Sequence, residues 1–355
     1  MRVCIFSSPD GIPSLDRYAR ELAQGFPPEV EVEVITVPRR PGLMGRIFDK
    51  YLKYLRVARR SKADYNIIVS EGFAFLLLAL DGRRTLVVCH DVHPLLQRGP
   101  SPRGFWRERY QFNLRMLRRA KRVVAVSEHT RDDLLKHCPF LIAEQVVAVH
   151  NGVAESWSAT PDAASMTAFT RRHGLDGKTY LLHVGNDNWY KNFAGVLRAF
   201  ASLPHQDLLL VKVGEVGPAN QGLIGELGLS GRVLHVPHAS AEELIQFYRS
   251  ARMLVFPSWH EGFGWPPLEA MACGCPVISS NKGSLPEVCG DACLYVEPGD
   301  TAGIAAAVER LLADAGLRAE LAAKGKAQAA RFRWADTAQA MLSLFQDGKG
   351  NGRRE

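Results

Sequence analysis

EGFGWPPLE, residues 261–269, sets two carboxylates eight residues apart around a glycine-flanked aromatic, Gly262-Phe263-Gly264, and a double proline, Pro266-Pro267. The run before it, MLVFP at 253–257, is strand-like. The run after it, LEAMAC at 268–273, is apolar and helix-like. Strand, loop and helix in that order form the repeating unit of a parallel sheet. A helix start offers N–H groups and a positive dipole end to an anion. The carboxylates suit another part of the same ligand, one rich in hydroxyls. An anion joined to many hydroxyls describes a nucleotide sugar.

The same alternation runs outward in both directions. Apolar runs at 3–7, 30–37, 65–70, 85–90, 122–127 and 146–150 read as buried parallel strands. Helical stretches lie between them, for example 14–24, 45–60 and 103–119. The pattern breaks at 156–170, which is polar and Ala/Ser-rich, and restarts at 180–184, 208–213, 233–236, 253–257, 276–279 and 293–296. This is the signature of α/β doubly wound parallel sheets, two of them in series. A length of 355 residues is comfortable for two domains. The expected division is 1–165, then 166–333, with a hinge near 152–175, a last amphipathic helix at 334–347 packing back toward the first domain, and a disordered tail at 348–355. Open parallel sheets bind ligands beyond the carboxyl ends of their strands, so two such domains facing each other predict one shared cleft.

Composition narrows the classes. Apolar residues make up 46% and charged residues 23%, as in ordinary soluble chains. No apolar run reaches the roughly 18–20 residues that span a bilayer. The opening MRVCIFSSPDG reads as a buried strand rather than a leader. These features predict a cytoplasmic protein with reduced, buried thiols. Cys273, Cys275, Cys289 and Cys293 have C-x-C and C-x3-C spacings, which are not those of zinc knuckles. The net charge of +7 is concentrated in the first half: residues 39–62 and 98–122 carry nine basic side chains each, interleaved with apolar ones. One reading is solvated helix faces; the other is attraction to an anionic membrane surface or an acidic acceptor. No nucleic-acid-reading module is present.

From 256 to 277 the chain reads FPSWHEGFGWPPLEAMACGCPV, and downstream come Gly283-Ser284-Leu285-Pro286-Glu287 and Gly290-Asp291-Ala292. Upstream stand Val184-Gly185, Lys191-Asn192, His150-Asn151-Gly152-Val153, Ser127-Glu128 and His90-Asp91. Together these resemble the retaining family 4 glycosyltransferases of the GT-B fold, the glycosyl transferases group 1, with Glu261 and Glu269 as the E-x7-E pair. The match is dense from about 180 to 300 and weaker before 85.

The resemblance implies transfer of a hexose, of mannose or glucose type, from a nucleoside-diphosphate sugar such as GDP-mannose or UDP-glucose. The acceptor is a hydroxyl of a glycan or lipid-linked molecule, as in polysaccharide biosynthesis, and the enzyme is cytoplasmic or peripheral on the membrane's inner face. The chain has no Asp-x-Asp, the metal-holding motif of GT-A enzymes, so neither a metal nor any other cofactor is expected. Cations and helix dipoles then stabilise the leaving diphosphate. Lys191 is the candidate cation. Gly185 and Asn186 belong to its loop, where the family adds an arginine that this chain lacks. Glu261 and the Gly262, Phe263 and Gly264 backbone contact the sugar and diphosphate. Glu269, expected in the first helical turn, accepts from the ribose hydroxyls; its bland alternative is a helix-dipole partner. His90 contacts the donor sugar or the acceptor side. Gly11 is the one glycine of a first-strand loop that is glycine-rich in the family.

Rival classes differ in what they need. A nicotinamide-dependent dehydrogenase needs G-x-G-x-x-G after the first strand, which is absent. A GT-B-fold nucleotide-sugar epimerase or an inactive nucleotide-sugar-binding protein shares the fold, and donor breakdown with and without an acceptor separates them.

Overall fold

The computed structural model describes residues 1–7, 13–37, 48–96, 105–160 and 162–346. Gly11, parts of both basic runs and the tail from 347 lie outside them. The chain divides into two units: Met1–Gly152 with Arg333–Glu355, and Val153–Phe332.

The first unit is built on a six-stranded parallel sheet of β1 (Arg2–Phe6), β2 (Glu31–Ile35), β3 (Tyr65–Ile68), β4 (Thr85–Cys89), β5 (Arg122–Ala125) and β6 (Val146–Ala148). Its order is β2-β1-β3-β4-β5-β6. Strands β3 and β4 are buried along their whole length. Their sequences, YNII and TLVVC, are the near-continuous runs that a sheet covered on both faces requires. The stretch 30–37, expected to be buried, forms the edge strand β2, largely exposed. Its alternating EVEVI explains why: Glu31 and Glu33 reach water and pair with Arg2 of β1.

Helix Trp334–Gln346 belongs to this unit. Trp334 meets Tyr18 edge-on at 5.3 Å, and Phe345 stacks on Tyr65 at 4.3 Å. Thr337 Oγ1 donates to the His150 carbonyl at 2.8 Å, and Lys121 Nζ donates to the Phe345 carbonyl near the helix C-terminus, also at 2.8 Å. An aromatic at each end and a polar tie between them fix the helix along its length.

The second unit holds β7 (Tyr180–Val184), β8 (Leu209–Val213), β9 (Val233–Val236), β10 (Met253–Phe256), β11 (Val277–Ser280) and β12 (Leu294–Val296), all parallel, in the order β12-β11-β10-β7-β8-β9. Counted from β7, this is the doubly wound Rossmann order, whose switch point lies between β7 and β10. The core gathers Phe193, Leu197, Phe200, Leu210, Met253, Ile278, Ile304 and Leu311. Each such side chain contributes about 1.5–3 kcal/mol by leaving water.

Helix Ala163–Arg172 begins within the polar stretch 156–170 and runs just past it. Asp162 caps it, and Phe169 packs edge-on against Phe247 at 4.7 Å. One buried aromatic suffices for a helix whose other faces meet water, which is why its apolar periodicity is faint. All seven cysteines are reduced and buried. Among the described residues, Cys273, Cys275, Cys289 and Cys293 form no metal-holding group.

Candidate active site

In the second unit, the loops after β7 and β10 leave the sheet on either side of the switch point. The first carries Gly185, Asn186 and Lys191; the second carries Glu261 to Gly264.

Lys191 ends a single 3-10 turn, Trp189–Lys191. Its Nζ donates to both carboxylate oxygens of Glu261, at 2.8 and 2.9 Å. Both side chains are largely buried, at 12% and 9% exposure. The ammonium also lies 5.2 Å from the Phe256 ring centre and 5.4 Å from that of Tyr190. Two residues expected to serve different parts of a ligand are therefore partners of each other. A shielded, charge-assisted pair of this kind is stronger than a surface one.

Asn192 holds the two loops together. Its backbone is left-handed, at φ 58°, and its Nδ2 donates to the carbonyls of Pro257 at 3.1 Å and Pro298 at 2.7 Å. The Trp259 N–H adds a bond to the Tyr190 carbonyl at 2.7 Å. Lysine in the Lys191-Asn192 pair thus supplies charge, and asparagine supplies the geometry.

The Glu261 loop has its own support. Ser284 Oγ lies 3.0 Å from the Glu261 carbonyl and 2.7 Å from that of Phe263. Gly283 has φ 61°, and a Cβ there would fall 2.8 Å from the Glu261 carbonyl oxygen. Ser284 was missed as a site residue; its signal was the downstream Gly-Ser, which only the fold brings under the loop. Phe263 is 6% exposed and packs edge-on against Phe332 at 5.9 Å. Its ring therefore anchors the loop, and only its backbone remains to meet a ligand.

Gly264, at φ 105°, caps helix Trp265–Ala272, and a Cβ there would lie 2.8 Å from Leu285 Cδ2. The helix start departs from the expected row of donors. Pro266 and Pro267 have no N–H, and the Leu268 N–H bonds to the Gly264 carbonyl at 3.4 Å. Glu269 lies beyond the first turn, 2% exposed, so the helix-dipole alternative does not describe it. Tyr248 Oη donates to its Oε2 at 3.1 Å.

In the β7 loop, Gly185 has φ 143°, and the Lys191 methylenes pass 3.4–3.6 Å from where its Cβ would be. Asn186 Oδ1 accepts the Asn188 N–H at 3.2 Å, an interaction within its own loop. Asp187 takes the Gly217 N–H at 2.8 Å and Asn220 Nδ2 at 2.7 Å, tying the loop to the one after β8.

In the first unit, His90 follows β4 directly. Its Nε2 lies 2.8 Å from the Val69 carbonyl, which makes Nε2 the protonated nitrogen and Nδ1 the acceptor. Burial lowers its pKa, so it is neutral at pH 7. Tyr18 packs edge-on to it at 4.9 Å. Beside it stands Glu71, which sequence reasoning passed over. Burial, then the nearby Asp91 charge, pushes its carboxyl up to about 8, and Ser70 Oγ donates to it at 3.2 Å. Its signal was a carboxylate at the carboxyl end of β3.

Comparisons with known proteins place this geometry. The family model Glycosyltransferase Family 4 matches residues 4–157, and Glycosyl transferases group 1 matches 166–328. The serotype-specific mannosyltransferase WbdA of Escherichia coli is 31% identical over 273 residues, 74% of this chain and 33% of that protein. The chain thus spans about a third of that relative's length. O-antigen chain mannosyltransferase B of Escherichia coli is 31% identical over 232 residues, 64% of this chain and 60% of that protein. Anabaena Alr3699/HepE, solved in complex with UDP-glucose, aligns with a TM-score of 0.79 at 17% identity, over 98% of this chain and 99% of that one.

Proposed function

This chain belongs to glycosyltransferase family 4 and has the GT-B fold, and from that membership and the site we propose that it is a retaining hexosyltransferase. In this reading a hexosyl group passes from a nucleoside-diphosphate sugar to a hydroxyl of a glycan or lipid-linked acceptor. The two Escherichia coli relatives favour mannose, hence GDP-mannose. The observation that carries the reading is the shielded Lys191–Glu261 pair at the switch point of the second unit.

The chemistry follows from those groups. As the bond from the anomeric carbon to the diphosphate breaks, negative charge grows on the phosphate oxygen and positive charge on the sugar ring. Lys191, with three N–H donors, can hold Glu261 and a phosphate oxygen together. Glu261 is oriented by the same contact and accepts from the sugar hydroxyls. Glycine backbone at 262 and 264 lets the loop approach closely, and Glu269 takes the ribose. The acceptor hydroxyl attacks the face that the diphosphate leaves, and its proton passes to a departing phosphate oxygen, so the configuration is retained. His90, neutral and with its Nε2–H held by the Val69 carbonyl, accepts one hydrogen bond at Nδ1 on the sugar or acceptor side. Preorganised charge in a shielded site supplies the stabilisation that a metal gives elsewhere, so we read the reaction as metal-independent.

Among the described residues no helix is long and apolar enough to cross a membrane. The first unit has an open cavity of about 1020 Å³ lined in part by five basic side chains, Arg83, Arg84, Arg119, Lys121 and Arg122, and two acidic ones, Asp64 and Asp81. That basic lining supports a peripheral contact with anionic lipid.

The deciding experiment incubates the protein with GDP-mannose or UDP-glucose, with and without glycan and lipid-linked acceptors, and follows nucleotide release and the anomeric configuration of the product by NMR. Acceptor-dependent transfer with retention is expected. Inversion at the anomeric carbon, or donor breakdown that no acceptor stimulates, would refute the reading.

A further inference from the structure

Lys212 is the last residue but one of β8, between Val211 and Val213, and is fully buried. A methionine or leucine would pack there without the penalty of desolvating a charge. Its Nζ donates to the Gly185 carbonyl and, at 3.2 Å, to that of Val213, and lies 5.3 Å from the Phe193 ring centre. Gly185 is thus held between two lysines, with the Lys191 methylenes along one side and the Lys212 ammonium on its carbonyl. Gly214 leaves room for this: a Cβ there would sit 3.5 Å from Nζ and would collide with the Gly185 carbonyl.

We propose that Lys212 is a positioning residue for the donor diphosphate: it draws the Gly185 carbonyl back into the sheet and sets a second positive charge behind Lys191. A carbonyl left pointing outward would repel a phosphate, whereas a buried cation behind the loop attracts it through a low-dielectric path. The inference rests on the reading that the second unit binds a nucleoside-diphosphate sugar.

The surrounding charges make the idea measurable. Burial first, then Lys191, pulls the Lys212 ammonium down to about 8, opposed by Asp187 and Glu215. Across the sheet, β7 pairs His183 with it, and burial followed by Lys212 itself keeps that ring neutral, at about 3. On the other side β9 pairs His235, which bonds to the Gly214 carbonyl at 2.9 Å. A diphosphate arriving near this set raises the Lys212 pKa, so binding near pH 8 takes up protons.

The test is calorimetric titration of the full chain with UDP, GDP and ADP at about pH 8, in two buffers of different ionisation enthalpy. Wild type should take up a fraction of a proton on binding. Lys212→Met should lose the uptake and bind about tenfold or more weakly, as one pKa unit of lost interaction implies. Lys212→Arg, always charged, should keep most of the affinity and show no uptake. A purely structural lysine would not give that split. Wild-type binding without proton uptake, or Lys212→Met binding as tightly as wild type, overturns the proposal. Should Lys212→Met fail to fold, the wild-type uptake and the arginine variant decide the matter. Failure of wild type to bind any of the three nucleotides overturns the nucleotide-sugar reading, and this proposal with it.

Discussion

Lys191 and Glu261, seventy residues apart in sequence, meet at 2.8 and 2.9 Å through both carboxylate oxygens, in a setting where each is about nine-tenths buried. Neither can be altered without changing what the other does.

Glu261→Ala and Lys191→Ala should each lower kcat by about a hundredfold, the scale set by losing one preorganised electrostatic contact. The double variant should lose little more than the worse single one, because the two act as a unit. Steady-state kinetics on all four proteins measures this. Losses that multiply would show that the two work independently.

Asn192→Ala should lower the unfolding free energy by about 1–3 kcal/mol. It leaves two carbonyls without their donor and replaces a residue that tolerates φ 58° with one that tolerates it less well. Asn192→Gly should recover the backbone share of that loss and no more. Thermal unfolding of both variants separates the two terms.

Tyr248→Phe removes the hydroxyl that donates to Glu269. If Glu269 holds the ribose, KM for the donor should rise severalfold while kcat changes little, because ribose contacts are made equally in ground and transition states. A fall in kcat at unchanged KM would place Glu269 elsewhere in the reaction.

Glu71 gives stability a pH dependence of definite sign. Its folded pKa, about 8, exceeds the ordinary carboxylate value of 4.5. Between these values the folded state holds a proton that the unfolded state has lost, so stability falls as pH rises from about 4.5 to 8. Glu71→Gln should flatten that slope and raise stability at pH 8 by up to about 4 kcal/mol. Denaturant unfolding at pH 5 and pH 8 reads it directly.

Binding to vesicles containing anionic lipid should weaken steeply as salt rises through the range where the Debye length shrinks from about 30 to 8 Å. Charge reversal at Arg83 and Arg119, two residues lining the basic cavity, should weaken it further. Salt-independent binding would point to apolar insertion instead.

Much of this was legible in order along the chain. MLVF is apolar throughout, YLLHV is broken only by His183 and TLVVC only by Thr85, and each is an inner strand. The edge position of β2 was also written in its alternating glutamates, although its valines and isoleucine by themselves predict burial. Lys191 and Glu261 were marked by their place on strand-to-helix loops, and Glu269 by its spacing from Glu261 in the helix that follows. Ser284, Lys212 and Glu71 were not, because a serine after a glycine, a lysine inside a strand and a glutamate after one are ordinary in sequence. Their meaning lies in what they touch.

The sequence by itself determined the alternation of strands and helices, and with it two parallel α/β units, since apolar periodicity is a local property of the chain. It also determined which loops carry charge. The tertiary structure decided which of those charges meet. Strand order puts β7 beside β10, although β8 and β9 intervene along the chain, and so joins Lys191 to Glu261. It turns Lys212 inward onto Gly185 and sets Tyr18, Tyr65 and His150 against helix Trp334–Gln346. These are choices between distant partners, fixed by how whole surfaces bury against one another, and no window of neighbouring residues contains them.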